Sequence, residues 1–230
     1  MSRPMRDDEV ASFEQRYRYQ PTVLRTGIDM LAVYVNKDNP LPGLTLPQVD
    51  AIFSRTRSGG YPRDIRTWGQ AGLTGAWANQ PIRMYGRNAA SGTYGFFREY
   101  ELFRGDYKDG VSEQPGSSAV VQACASDRYG IGYSGIGYRT ADVRAVPLAM
   151  EEGEEFVEVV PENAYTGEYP LARFLMVYVN HRPGGQLDPL RRDCVKSFVP
   201  RLKKSASALN HSTHSAAAGV SIMTPNCGSV

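Results

Sequence analysis

Two apolar runs with matching ends constrain this chain more than anything else in it: IDMLAVYVN at Ile28 to Asn36 and LARFLMVYVN at Leu171 to Asn180. The first is β-branched and apolar, and Lys37, Asp38, Asn39 and Pro40 close it, so it reads as a buried strand. The second mirrors it, and both finish on tyrosine, valine and asparagine. Two such strands can run side by side. Asp29 is the odd carboxylate of the first run; a ligand, a hinge group and a hydrogen-bonded structural acid are all open to it.

The stretch from Pro81 to Phe103, PIRMYGRNAASGTYGFFREYELF, puts an arginine, a small-residue turn with two hydroxyls and an amphipathic helix start in one run. Backbone N–H groups at a helix start lack intrahelical partners, and the macrodipole favours negative charge there. Ser91, Gly92 and Thr93 supply that start, with Gly92 allowing close approach of a ligand and the two hydroxyls adding donors. Arg87, four residues ahead of Ser91, offers a fixed charge and parallel donors to a tetrahedral oxyanion. The run therefore reads as an anion cradle suited to phosphate. The competing reading is an ordinary capped helix, with Ser91 as N-cap, Phe96 and Phe97 in the core and Arg87 in solvent. A nucleotide P-loop does not fit, because Thr93 stands where that motif needs a lysine.

Composition narrows the partners. With 230 residues and 41% hydrophobic content the chain can bury one sizeable core or two small ones, and no apolar run approaches a membrane span. Net charge is +2 from 26 basic and 24 acidic residues mixed along the chain, so no field for nucleic acid or a membrane surface is implied. Cys124, Cys194 and Cys227 are odd in number and widely spaced, which excludes a zinc knuckle and a fully paired disulfide framework. MSRPMRDDEV lacks an apolar secretory core, so the sequence by itself is expected to stay in the cytoplasm.

Elsewhere, Asp7 to Tyr17 is expected as a short helix with Val10, Phe13 and Tyr17 on one face, followed by a strand near Thr22 to Arg25. Thr45 caps a helix through Phe53, and Ser54 to Asn79 reads as loop around the packing anchors Trp68 and Trp77. Pro81 to Tyr85 is a short strand; Ser117 caps a helix to Ala125 with Val120, Val121 and Cys124 on one face. Ile131 to Tyr133 and Val143 to Leu148 are short strands, Glu151 to Glu155 a solvated turn and Pro161 to Tyr169 an irregular link. A helix begins after Asp188 with Leu190 and Val195, and from Pro200 the tail reads as poorly ordered.

GIGYSG at Gly130 to Gly135 matches a dinucleotide fingerprint, but no helix follows to receive a pyrophosphate, so a glycine-rich strand under close packing is preferred. Hydrolase chemistry needs an activated nucleophile, a base and an orienting acid. His211 and His214 lie in the tail, His181 reads as a solvated loop residue, and Ser134 lacks the nucleophile-elbow spacing.

Taken in order, GIDMLAVYVNKDNPLPGLTLPQVDAIF, IRTWGQ, RNAASGTYGFF, GIGYSGIGY and YPLARFLMVYVN resemble the phosphate-binding proteins of bacterial phosphate ABC transporters, the PstS-like substrate-binding family. The resemblance covers Gly27 to Asn180 and implies an α/β, two-lobed periplasmic binding protein (type II) fold, with lobe one incomplete here. It implies a remnant of lobe one at 1–27, a crossover strand at 28–36, lobe two with the cradle at 37–148, the return crossover and lobe one at 149–199, and an atypical tail at 200–230. The family's arginine and S-G-T signature falls on Arg87, Ser91, Gly92 and Thr93, and Ser2 looks like the serine that lobe one contributes. The aspartate that follows that serine in well-known members is Arg3 here, and arginine only donates where a carboxylate accepts from a protonated oxyanion. This puts selectivity for phosphate over sulfate in doubt; Asp29 or a residue outside the chain is left to supply the acceptor.

The implied function is capture of inorganic phosphate outside the cytoplasmic membrane for an ABC transporter permease, by a monomer that needs no cofactor, metal or nucleic acid and is not an enzyme. The full-length family form is periplasmic or at the cell surface. Met1 looks like an internal start, a shifted frame near Cys194 would account for the tail, and weaker phosphate affinity than the family norm is expected of the shortened chain. Receptors for sulfate or molybdate, and a phosphate-ester enzyme using the same cradle, are the alternatives.

Overall fold

The computed structural model describes residues 4–197. Ser2, Arg3 and the tail from Pro200 lie outside them, as do His211, His214 and Cys227. Helix α1 (Asp7–Tyr17) opens as its acidic first turn demands, with the Arg6 N–H donating to Glu9 Oε2 at 2.9 Å. Strand β1 (Thr22–Asn36) then runs without a break through both predicted strands. A register shift between Arg25 and Gly27 is the irregularity that joins them.

A two-residue strand, β2 (Leu44–Thr45), leads into α2 (Leu46–Phe53), closed at its start by a reciprocal pair. Gln48 N–H donates to Thr45 Oγ1 at 3.3 Å and Thr45 N–H to Gln48 Oε1 at 2.9 Å. The predicted loop follows, containing one 3₁₀ turn at Gly75–Trp77. Trp68 anchors it, fully buried, edge-on to Trp77 at 6.2 Å and donating from Nε1 to Tyr129 O at 3.2 Å.

From there the chain alternates: β3 (Arg83–Arg87), α3 (Gly92–Tyr100), β4 (Ser112–Gln114), α4 (Ser117–Ser126) and β5 (Gly130–Gly135). Two short strands, β6 (Val143–Ala145) and β7 (Leu148–Ala149), replace the single one expected over Val143 to Leu148. Pro161 to Tyr169 is not wholly irregular, because Pro161 opens α5 (Pro161–Thr166) and Gly167 ends it at φ 82°. Strand β8 (Ala172–Val179) completes this part of the chain. Residues 189–197 form a helix in a separate unit.

The main sheet has the order β4-β3-β5-β1-β6, with β8 also on β1. The two runs that resemble one another do lie side by side, antiparallel, with Thr22 opposite Val179 and Met30 opposite Ala172. Further along, β1 passes into antiparallel pairing with β5 and β6, and its residues from Met30 to Val35 are at most 4% exposed. Strands β3, β4 and β5 are mutually parallel, and β2 pairs with β7. Glycine in β5 has the packing role read from the sequence: a Cβ on Gly132 would stand 2.8 Å from both Cys124 Sγ and Val120 Cγ1. The bare backbone lets α4 settle onto the sheet.

Candidate functional site: an oxyanion cradle

The chain goes from β3 outward to β4, then back past β3 to β5. That reversal puts a topological switch point at β3, where open α/β sheets take ligands outside the carboxyl ends of their strands. Arg87 is the last residue of β3, and Ser134 and Gly135 are the last of β5. Helix α3 starts directly after β3 and α4 directly after β4.

A tight turn, with Ser91 N–H donating to Asn88 O at 3.0 Å, swings the chain from Arg87 into α3. Ser91 is the N-cap, and its Oγ accepts from Thr93 N–H at 3.2 Å. Its hydroxyl proton remains available to an outside acceptor. The N–H groups of Gly92 and Tyr94 in the same turn have no carbonyl of the helix to reach. Phe96 and Phe97 lie in the core, as the capped-helix reading requires. Arg87 does not lie in solvent as that reading had it. It is half-buried, with Nη1 donating to Ser117 Oγ at 2.6 Å and Nη2 to Pro115 O at 3.4 Å. Arg87 Nε is buried with no hydrogen-bond partner among the described residues. A buried cationic donor left unpaired is costly, and an anion beside it relieves that cost.

Arg87 also brings the start of α4 into the site, which the sequence reading did not foresee. Ser117 is the first helical residue and Gly116 its N-cap, so Ser117 does not cap the helix as predicted. Its Oγ instead receives the guanidinium, and it can still donate its own proton. Ser134, fully buried, donates from Oγ to Ser117 O at 3.0 Å and ties the end of β5 to the same turn.

Beneath Arg87 lies a row of phenols that was also missed. Arg87 N–H donates to Tyr133 Oη at 3.3 Å; Tyr133 and Tyr107 hydroxyls are 2.9 Å apart; Tyr107 Oη donates to Tyr94 O at 3.1 Å. With Tyr107 donating onward, the Tyr133 proton points to Tyr107, and one chain of bonds runs from the end of β3 to the first turn of α3. Burial pushes Tyr133 up to about 12 and Tyr107 higher, so both stay neutral donors. Phe97 stacks on Tyr133 at 3.7 Å between ring centroids, holding the row in register. A tyrosine at an alternate position of GIGYSG was the visible signal, but its long-range partner had none.

Of the predicted residues, the structure gathers Arg87, Ser91, Gly92 and Thr93 at one strand end and places Ser2 outside the described residues. Asp29 is occupied elsewhere: its Oδ2 accepts from Arg173 Nη2 at 2.8 Å and Nε at 3.1 Å. His181 Nε2 lies 2.8 Å from Gly185 O in its own turn. Among the described residues no group of three or more His, Cys, Asp or Glu side chains is placed to hold a metal ion.

The sequence matches the PBP superfamily domain over residues 1–199. It is 54% identical over 201 residues to the phosphate-binding protein PstS of Pseudomonas aeruginosa PAO1, covering 87% of this chain and 62% of that protein. It is 28% identical over 214 residues to the protein SphX of Synechococcus elongatus, covering 91% of this chain and 59% of that protein. The chain thus spans about three fifths of the length of these curated relatives. Among solved structures, an ABC-type phosphate transport receptor from Vibrio cholerae superposes with a TM-score of 0.61 at 22% identity, over 91% of this chain and 75% of that one. PstS from Borrelia burgdorferi gives 0.58 at 15% identity, over 90% and 73%. With a mixed α/β sheet whose strand order reverses at β3 and a sequence matched across the whole of its described length, the chain belongs to the PBP superfamily and has its type II fold.

Proposed function

We propose that this chain belongs to an extracytoplasmic solute-binding protein that captures inorganic phosphate and hands it to an ABC transporter permease. The observation that carries the reading is Arg87: a guanidinium fixed by Ser117 and Pro115, with Nε buried and without a partner among the described residues, at the end of the strand that leads into α3. A tetrahedral oxyanion there would accept from Arg87, from the Gly92 and Tyr94 amides and from the Ser91 and Thr93 hydroxyls. Each such charge-assisted bond is worth about 1.5–3 kcal/mol net.

The receptor makes and breaks no covalent bond. Residues 37–148 form the lobe that carries the cradle, 28–36 and the strand within 149–199 are the crossovers, and 1–27 with the rest of 149–199 belong to the other lobe. A ligand touching both lobes binds the closed form better than the open one and shifts a hinge equilibrium by that difference. The name of the Pseudomonas relative supports phosphate over another oxyanion.

Calorimetric titration of the chain with phosphate, sulfate and molybdate tests the assignment. Saturable heat with phosphate, outcompeting the other two, is the expected result; preference for sulfate or molybdate makes this a different oxyanion receptor. Turnover of a chromogenic phosphate ester that disappears in Arg87→Ala would replace the receptor by an enzyme.

A further inference from the structure

Asp29 and Arg173 form an ion pair that the anion cradle does not use, and it stands where several elements meet. The two residues face each other in the register of β1 and β8, the paired crossover strands. Both bonds from Arg173 converge on Asp29 Oδ2, at 2.8 and 3.1 Å. On its other side the Arg173 guanidinium lies over the ring of Phe96, 4.5 Å from the centroid. Phe96 belongs to α3, and the bond that carries its side chain tilts toward the cradle end of that helix. A Cβ on Gly135, the last residue of β5, would lie 3.8 Å from Asp29 Oδ1.

We propose, resting on the receptor reading above, that Arg173 is a positioning residue that couples the cradle to the crossover strands. The planar guanidinium suits the task because it can pair with a carboxylate along one edge and stack on a ring with its face. The Arg173 side chain is 7% exposed and that of Asp29 27%, so water screens the pair less than it would at the surface. Arg173 Nη1 is buried and has no hydrogen-bond partner among the described residues, so the contact set is one bond short. The cradle and the crossovers are then two sides of one contact, and a ligand that fixes α3 also biases the strands.

The test is Arg173→Met in the full chain, read in two ways. Without phosphate, the ¹H–¹⁵N resonances of Gly92, Thr93 and Tyr94 are expected to move while those of α2 stay in place. With phosphate, affinity is expected to fall at least about fivefold, the lower end of ordinary coupling between sites. Unmoved resonances at the three positions overturn the proposal whatever happens to affinity. Moved resonances with unchanged affinity also overturn it, since the contact would then shape α3 without serving binding. If the unsubstituted chain binds no phosphate, the receptor reading fails and the resonances alone decide whether Arg173 positions α3. Should Arg173→Met fail to fold, Arg173→Lys keeps the charge beside Asp29 but loses the flat face, and the same readouts apply to it.

Discussion

From Thr22 to Asp29, β1 pairs with β8, and every residue is exposed or only half-buried; from Leu31 to Asn36 it runs between β5 and β6 and is buried throughout. Val23, for instance, is 48% exposed, while Leu31 and Val33 are fully buried. The difference lies in the cover more than in the strand. A two-stranded ribbon leaves much of its surface to solvent, whereas a central strand with helices on the sheet loses nearly all of it. The cradle stands on the covered half, at the ends of β3 and β5, and the Asp29–Arg173 pair stands where cover begins. The side chains gathered at those strand ends are thus held by packing, while the ribbon is held more lightly.

The sharpest way to break this comparison is to truncate a side chain in each half. Leu31→Ala is expected to destabilise by about 2–5 kcal/mol, the range for a fully buried leucine, whereas Val23→Ala stays within about 0.5 kcal/mol. Denaturant melts of the two variants measure both, and equal losses would dissolve the distinction.

A second test uses a proton buried under the covered half. Glu101, at the end of α3, is 1% exposed and both its carboxyl oxygens lack hydrogen-bond partners among the described residues. Burial first, and the Asp50 carboxyl of α2 second, hold it protonated well above the usual 4.5. Tyr169, whose hydroxyl donates to Leu31 O at 2.8 Å, is the other titratable group beside it. The folded chain therefore holds a proton that the unfolded chain releases above about pH 4.3. The stability this brings is full below that pH and lost as pH rises toward the folded value, at about 1.4 kcal/mol per pH unit. Glu101→Gln should remove that slope, leaving the variant relatively more stable at pH 8 than at pH 4. Parallel melting-temperature profiles for the two proteins would show that Glu101 ionises freely in the fold.

The smaller effect concerns the seat of α4. Gly132→Ala places a methyl 2.8 Å from Cys124 Sγ and Val120 Cγ1, an overpacking expected to cost about 1–3 kcal/mol. Gly27 in the ribbon has nothing within 4 Å of the same added atom, so Gly27→Ala should be close to neutral. Thermal melts of the pair repeat the comparison with glycines.

Much of this was legible in residues. The paired apolar runs, the Thr45 and Ser91 caps and the buried face Val120, Val121, Cys124 follow from pattern and end chemistry, because those signals are local. What stayed hidden was set at long range. Nothing in the sequence at Ser112–Gln114 announces β4, which exists because β3 offers it an edge. Ser117 reads as a cap until Arg87 reaches it from 30 positions away, and Asp29 reads as an anomaly until Arg173 arrives across the ribbon. The motif gave half of the cradle, and the strand order supplied the rest.

Phosphate titration of the chain beside Arg87→Ala tests most directly the proposal that Arg87 is the cationic wall of a phosphate site. Saturable binding is expected to weaken about ten- to a hundredfold in the variant, the loss of a charged hydrogen bond worth about 1.5–3 kcal/mol, with the melting temperature little changed. Equal affinity in the two proteins, or no binding in either, would contradict it.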